Sequence, residues 1–155
     1  MGQTELRLKE LGIELPRKDY RGQGMCLTKR YRNLIFVSGC GPNLPAGKVY
    51  SGKVGGELTE AEGYEAARAC AINVLSALSD VIGTLDRVKQ VVKVFGLVAS
   101  APGFYQQPAV MNGFSDALME VLGQRGMHAR SAMGSNALPG NIPVEVECIF
   151  EISDY

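Results

Sequence analysis

The spacing of apolar and polar positions divides the chain into short elements of two kinds. "TELRLKELG" spaces its leucines for a short helix, with Thr4 as the N-cap and Gly12 as the stop. Pro16 to Gly24 is polar and turn-rich, which predicts a loop. "GMCLTKRYRNLIFVSG" predicts a hairpin: a strand over 25–29, a turn at 31–33 and a strand over 34–38. A Gly- and Pro-rich loop follows, with a short extended piece expected at Val49 and Tyr50. "LTEAEGYEAARACAINVLSALSDVIG" has the clearest period. Tyr64, Ala67, Ala71, Val74, Leu78 and Ile82 recur every three or four residues, and Thr59 with Glu62 forms a capping-box pattern. The β-branched run over 88–99 predicts a central strand. "AVMNGFSDALMEVLG" predicts a second amphipathic helix with Val110, Phe114, Leu118 and Val121 inward. "HARSAMGS" and "PVEVECIFEI" predict two closing strands, joined by a loop around 138–143.

The predicted order, after the leading helix, is β-β-α-β-α-β-β with a hairpin at each end. It implies an α+β fold with two helices on one face of a sheet. Strands such as "VVKVFGLV" do not alternate cleanly, so the other face is also partly apolar, and a second layer from another subunit is expected to cover it. The chain has 155 residues and reads as a single domain over 1–155, with 1–23 as an N-terminal helix-and-loop extension.

Charge and cysteine content narrow the function classes. Lys plus Arg and Asp plus Glu each number 16, so the formal net charge is zero and no basic face argues for nucleic acid as a partner. The four cysteines form no CxxC and there is one histidine, so no metal site is expected. Cys26, Cys40, Cys70 and Cys148 sit among apolar neighbours and read as buried, reduced thiols. "MGQTELRLKELGIELP" lacks the apolar stretch of a secretory signal, and no apolar run is long enough to span a membrane; a cytoplasmic protein is the expectation.

Chemistry concentrates near the C-terminus. Arg130 stands beside the small residues 131–134, where its planar fork can take a carboxylate in two parallel hydrogen bonds. The competing reading is a structural salt bridge to Glu145 or Glu147. Those two glutamates are wedged between valines two positions apart, so they share a strand face and repel each other. One is expected to pair with a cation; the other is exposed or raised in pKa, which would suit a general acid/base. His128 lies two residues before Arg130: either a loop histidine at a strand edge or a cleft-rim residue that responds to pH. Cys40, beside Gly39, would be a reactive thiol if it opened onto a cleft. "GCGPN" lacks the later glycine and the following helix of a dinucleotide loop, and no GxSxG occurs. Ser38 has no evident histidine partner for a Ser-His triad.

Five stretches together carry a family resemblance. "HARSAMGSNALPGNIPVEVECIFEI" resembles the C-terminal signature of the Rid (YjgF-type) family: P-A-R-S, a short strand, L-P, then a V-E-I-E pattern. "NLIFVSGCGP" resembles its hairpin strand, "AARACAINVLSAL" and "LDRVKQVVKVFGLVAS" its first helix and following strand, and "VMNGFSDALME" its second helix. The likeness covers residues 24–152. It implies a chorismate-mutase-like fold and a homotrimer built around a central barrel, with clefts at the subunit interfaces. It also implies hydrolysis of reactive enamines and imines such as 2-aminoacrylate to 2-keto acids and ammonia, with no metal or cofactor. On that resemblance Arg130 would clamp the substrate carboxylate and Glu145 would handle water. Gly39, Cys40, Asn112 and Ala132 would line the pocket.

The match has departures. Typical deaminating members carry an aromatic residue where Met25 stands here, and neither Tyr20 nor Tyr31 is in register with it. Cys40 replaces a Gln, and Ala132 replaces the Cys that often follows the A-R-S motif. The chain resembles a longer branch of the family. The alternative is a trimeric protein of the same fold that binds small carboxylates without turnover. An endoribonuclease, an activity attributed to some members, fits poorly with the neutral charge.

Overall fold

The computed structural model describes residues 2–17 and 24–154. Helix α1 spans Gln3–Glu10, strand β1 Thr28–Tyr31, β2 Leu34–Cys40, helix α2 Glu60–Ile82, β3 Val88–Ala99, α3 Gln107–Leu122, β4 Ala129–Ser135 and β5 Val144–Ile152. The five strands form one sheet in the order β1-β2-β5-β3-β4. β3 and β4 run parallel and the other neighbours run antiparallel.

The hydrophobic period predicted most of these elements. α2 begins at Thr59 through the expected capping box: the Thr59 hydroxyl accepts from the Glu62 N–H, and the Glu62 carboxylate accepts from the Thr59 N–H. That bond, with Lys48 beside it, holds the Glu62 carboxyl down at about 2. Gly83 ends the helix with φ +83, a value an L side chain rarely adopts.

Several expectations need correction. The first strand lies at Thr28–Tyr31 rather than at 25–29, because Tyr31 pairs directly with Leu34 and the chain reverses over Arg32 and Asn33. Val49 and Tyr50 form no strand; Val54 instead bridges to Leu58 and Ser100. The closing strands form no hairpin. α3 carries the chain from β3 to the parallel edge strand β4, as a crossover must. β5 then inserts between β2 and β3, so β4 and β5 are not neighbours. Finally, Cys26 is exposed, whereas the other three thiols are buried as expected.

α2 and α3 cover one face of the sheet. β5 alternates strictly, sending Val144, Val146, Cys148, Phe150 and Ile152 into the core and Glu145, Glu147, Ile149 and Glu151 to the open face. Phe114, Met111 and Leu118 of α3 and Val74, Leu75 and Leu78 of α2 complete the core. The two helices approach closely because position 113 has no side chain: a Cβ on Gly113 would lie 2.1 Å from the Tyr64 carbonyl oxygen. The open face mixes Phe36, Phe95, Leu97 and Ile149 with charged groups, and Phe36 remains 41% exposed.

The N-terminal extension is tied to the domain. α1 has Gly2, not Thr4, as its N-cap, and its first N–H groups are satisfied from across the chain. Asp86 accepts from the Gln3 and Thr4 N–H groups at 2.7 Å each and from the Thr4 hydroxyl. Arg125 donates to that same hydroxyl and to the Val88 carbonyl. The Thr4 bonds hold the Asp86 carboxyl below its ordinary range.

Two outcomes test this architecture. Gly113→Ala should destabilise the domain by about 1–3 kcal/mol, the usual effect of overpacking, read from the midpoint of urea unfolding. Asp86→Ala should strip hydrogen-exchange protection from the amides of residues 3–10 while the sheet stays protected. Because the folded Asp86 pKa is lowered, its stabilisation is present above the ordinary carboxylate range and is lost as pH falls through the folded value. The wild type should therefore release α1 on acidification, and the variant should show no such step.

Candidate functional site

Arg130 is the second residue of edge strand β4. It pairs with Val94, so its side chain leaves the sheet on the helix-covered face. There it meets the start of α3. Nη1 donates to Asn112 Oδ1 at 3.1 Å and to Ser115 Oγ at 3.0 Å, and Nη2 donates to the Pro108 carbonyl at 3.3 Å. These acceptors share one face of α3, being three to four residues apart. No carboxylate pairs with Arg130 among the described residues, so within one chain the salt-bridge reading fails. A guanidinium has five donor hydrogens, and three are used. Nε–H and one hydrogen of Nη2 have no partner among the described residues.

His128 precedes β4 and is half-buried. Its Nδ1 lies 2.6 Å from the Gly126 carbonyl, and its Nε2 lies 2.9 Å from Ser115 Oγ. Burial holds the imidazole pKa below its ordinary value. The Gly126 bond opposes that shift, and the nearby Arg130 charge adds to it.

Glu145 lies on the other side of the sheet. It pairs with Leu97, three residues from Val94 along β3, so it projects from the open face. Gly39 sits directly beneath it: a Cβ there would come within 2.9 Å of Glu145 Cδ, which explains the glycine. Glu145 has no hydrogen bond or ion pair among the described residues. Glu147 shares that face, as the spacing predicted, and borders a hollow of about 230 Å³ with Lys29, Lys93, Phe36 and Phe95. It too makes no ion pair among the described residues, so the expected pairing of one glutamate with a cation does not occur among them.

The predicted site residues thus fall into two groups. Arg130, Asn112 and Ala132 gather where β4 meets α3; Gly39 and Glu145 gather on the open face of β2 and β5. Cys40 joins neither. A bulge between Val37 and Cys40 sets it opposite Val146 on the covered face, where it is 6% exposed and its thiol donates to the Ser38 carbonyl. It is a core thiol, not a cleft-mouth nucleophile. Met25 is exposed in the segment before β1, and Tyr31 ends β1 with Arg32 stacked 5.5 Å from its ring. Tyr20 lies outside the described residues.

The sequence reading missed Ser115 and the Pro108 carbonyl, and it gave His128 no partner. The available signal was the spacing of Asn112 and Ser115 at i, i+3 on a helix that starts near Pro108. No cluster of three or more His, Cys, Asp or Glu side chains that could hold a metal occurs among the described residues. No described helix is long and apolar enough to cross a membrane.

A family model described as "YjgF/chorismate mutase-like, putative endoribonuclease" matches residues 5–152. Protein TCP17 of Trypanosoma cruzi is 38% identical over 154 residues, covering 99% of this chain and 96% of that one. The crystal structure of Atu1372 from Agrobacterium tumefaciens, a protein of unknown function, is 38% identical and superimposes with a TM-score of 0.89 over 97% of this chain and 92% of that one. A structure from Shewanella oneidensis MR-1, described as a putative endoribonuclease, is 28% identical with a TM-score of 0.92, covering 97% and 100%. With the family model spanning nearly the whole chain and full-length relatives sharing its fold, the protein belongs to the YjgF/Rid family.

Proposed function

We propose that the protein hydrolyses reactive enamines and imines that carry a carboxylate, of the 2-aminoacrylate type, to 2-keto acids and ammonia. The observation that carries this reading is Arg130. Three neutral acceptors hold its guanidinium, and among the described residues no carboxylate neutralises it and two donors remain for a ligand. An isolated charge so carefully oriented suits recognition of an anion better than fold stability.

The chemistry asks little of the protein. The enamine tautomerises to an imine, whose C2 is already electrophilic. Water adds to C2, a proton moves to nitrogen, and the carbinolamine collapses to the keto acid as ammonia leaves. Holding the carboxylate so that C2 faces water lowers the barrier by orientation alone. Glu145 is the group we assign to the water, accepting its proton as it adds.

Arg130 and Glu145 lie on opposite faces of one sheet. A site using both therefore takes one from each of two subunits. A homotrimer, with the three partly apolar open faces packed around a central barrel, is the assembly we propose to supply that cleft. The same packing would cover Phe36, Phe95 and Ile149.

A second reading keeps the cleft and drops the turnover. It is favoured by Met25, which stands where typical deaminating members carry an aromatic residue. An endoribonuclease is less favoured: the single histidine is engaged with Gly126 and Ser115, which leaves no evident acid/base pair for a nuclease.

Keto-acid release from 2-aminoacrylate, generated in situ by a pyridoxal-phosphate lyase, tests the proposal. Wild type should accelerate it, and Arg130→Ala should lower kcat/KM about 100-fold, the scale of losing one partner of a desolvated charge pair. Glu145→Gln should lower kcat with little change in KM. Remixing unfolded Arg130→Ala and Glu145→Gln chains one to one should restore about a quarter of wild-type activity, because random trimers then hold one intact cleft in three of every four assemblies. No recovery would place both residues in one chain's site. No acceleration by folded wild type, with carboxylate binding intact, would leave the binding protein.

A further inference from the structure

The Arg130 clamp does not stand alone. We propose that Ser115 and His128 are positioning residues for Arg130: the imidazole fixes the Ser115 hydroxyl, and that hydroxyl holds Nη1, so the remaining donor edge of the guanidinium is presented in one orientation. The proposal deepens the carboxylate-clamp reading and rests on it.

The hydrogen-bond directions are forced. The Gly126 carbonyl can only accept, so His128 Nδ1 carries the proton and Nε2 is left as an acceptor. Nε2 then takes the Ser115 hydroxyl hydrogen at 2.9 Å. With its hydrogen committed, Ser115 Oγ turns lone pairs outward, and Arg130 Nη1 donates to it at 3.0 Å. The series runs from a backbone carbonyl through imidazole and hydroxyl to the guanidinium, with no step free to reverse while His128 is neutral.

The frame beneath this series is stiff. It joins the 3-10 turn Gly123–Gly126, helix α3 and strand β4. Gly126 is pressed onto α3 so closely that a Cβ would lie 2.6 Å from the Leu118 carbonyl oxygen, which fixes where its own carbonyl points. A long Arg side chain on an edge strand otherwise loses considerable rotamer freedom on binding a ligand, and a preset orientation reduces that loss.

The electrostatics are simple enough to read. On α3, Asp116 adjoins Ser115, but its carboxylate accepts from Tyr64 Oη at 2.7 Å. On β3, Lys93 donates to Ser131 on the open face. Arg125, on the 3-10 turn, spends its guanidinium on Thr4 and the carbonyls of Leu85, Asp86, Leu122 and Val88. Among the described residues Arg130 is therefore the charge that acts on the imidazole, and it disfavours a second positive charge there. A carboxylate bound to Arg130 would cancel that effect, so ligand binding and His128 protonation are coupled.

The chain has one histidine, so its ring signals in an NMR titration need no assignment. Using the full chain and pyruvate as the probe, the His128 pKa should lie below the ordinary imidazole value in the free wild type and rise when pyruvate is bound. In Arg130→Ala it should already be higher without ligand and should not respond to pyruvate. Ser115→Ala should weaken pyruvate binding about tenfold, the loss expected for one hydrogen bond to a charged group. Ser115→Thr, which keeps the hydroxyl, should restore it. Pyruvate binding unchanged by Ser115→Ala, or a His128 titration identical in wild type and Arg130→Ala, would overturn the positioning role and leave the clamp standing. Failure of folded wild type to bind pyruvate would take down the clamp and, with it, the positioning role.

Discussion

β5 is hydrogen-bonded on both edges, to β2 and to β3, so each of its side chains is committed to a face by two neighbours at once. A slip of one residue would put Val144, Val146, Phe150 and Ile152 into water and drive three glutamates into the core. The strand's even alternation fixes the helix-covered face, decides where α2 and α3 must pack, and places Glu145 over Gly39 on the open side. Gly39 is then a consequence: it is the position where the next strand must yield room for a carboxylate.

The edge strand obeys a different logic. β4 is short, parallel to β3 and largely unburied on its own, and its hold on the domain comes from one ladder and from α3. Arg130 turns that weakness to use. Its head is held by neutral acceptors on α3, with no counter-charge among the described residues. An edge that is ordered but not neutralised can receive an anion with little rearrangement, because the cost of orienting the cation has been met in folding.

The two groups of candidate residues lie on opposite faces of one sheet, which is why the proposed site draws on two subunits. The open face sets Phe36, Phe95 and Ile149 among charges, and it is the face the proposed trimer would cover.

Period and capping chemistry were legible along the chain. The helical stripe from Tyr64 to Ile82, the Thr59–Glu62 box, the glycine stop at 83, the β-branched run over 88–99 and the period-two alternation of β5 are local signals, each carried within one element. The sequence by itself therefore determined the elements, the fold class and the residue types that could bind an anion. It could not determine neighbours. That β5 inserts between β2 and β3, that Cys40 turns inward at a bulge, and that His128 finds Ser115 thirteen residues away all depend on non-local pairing. Only the tertiary structure decided those, because a hydrogen bond or a strand ladder between distant segments leaves no periodic trace in either one.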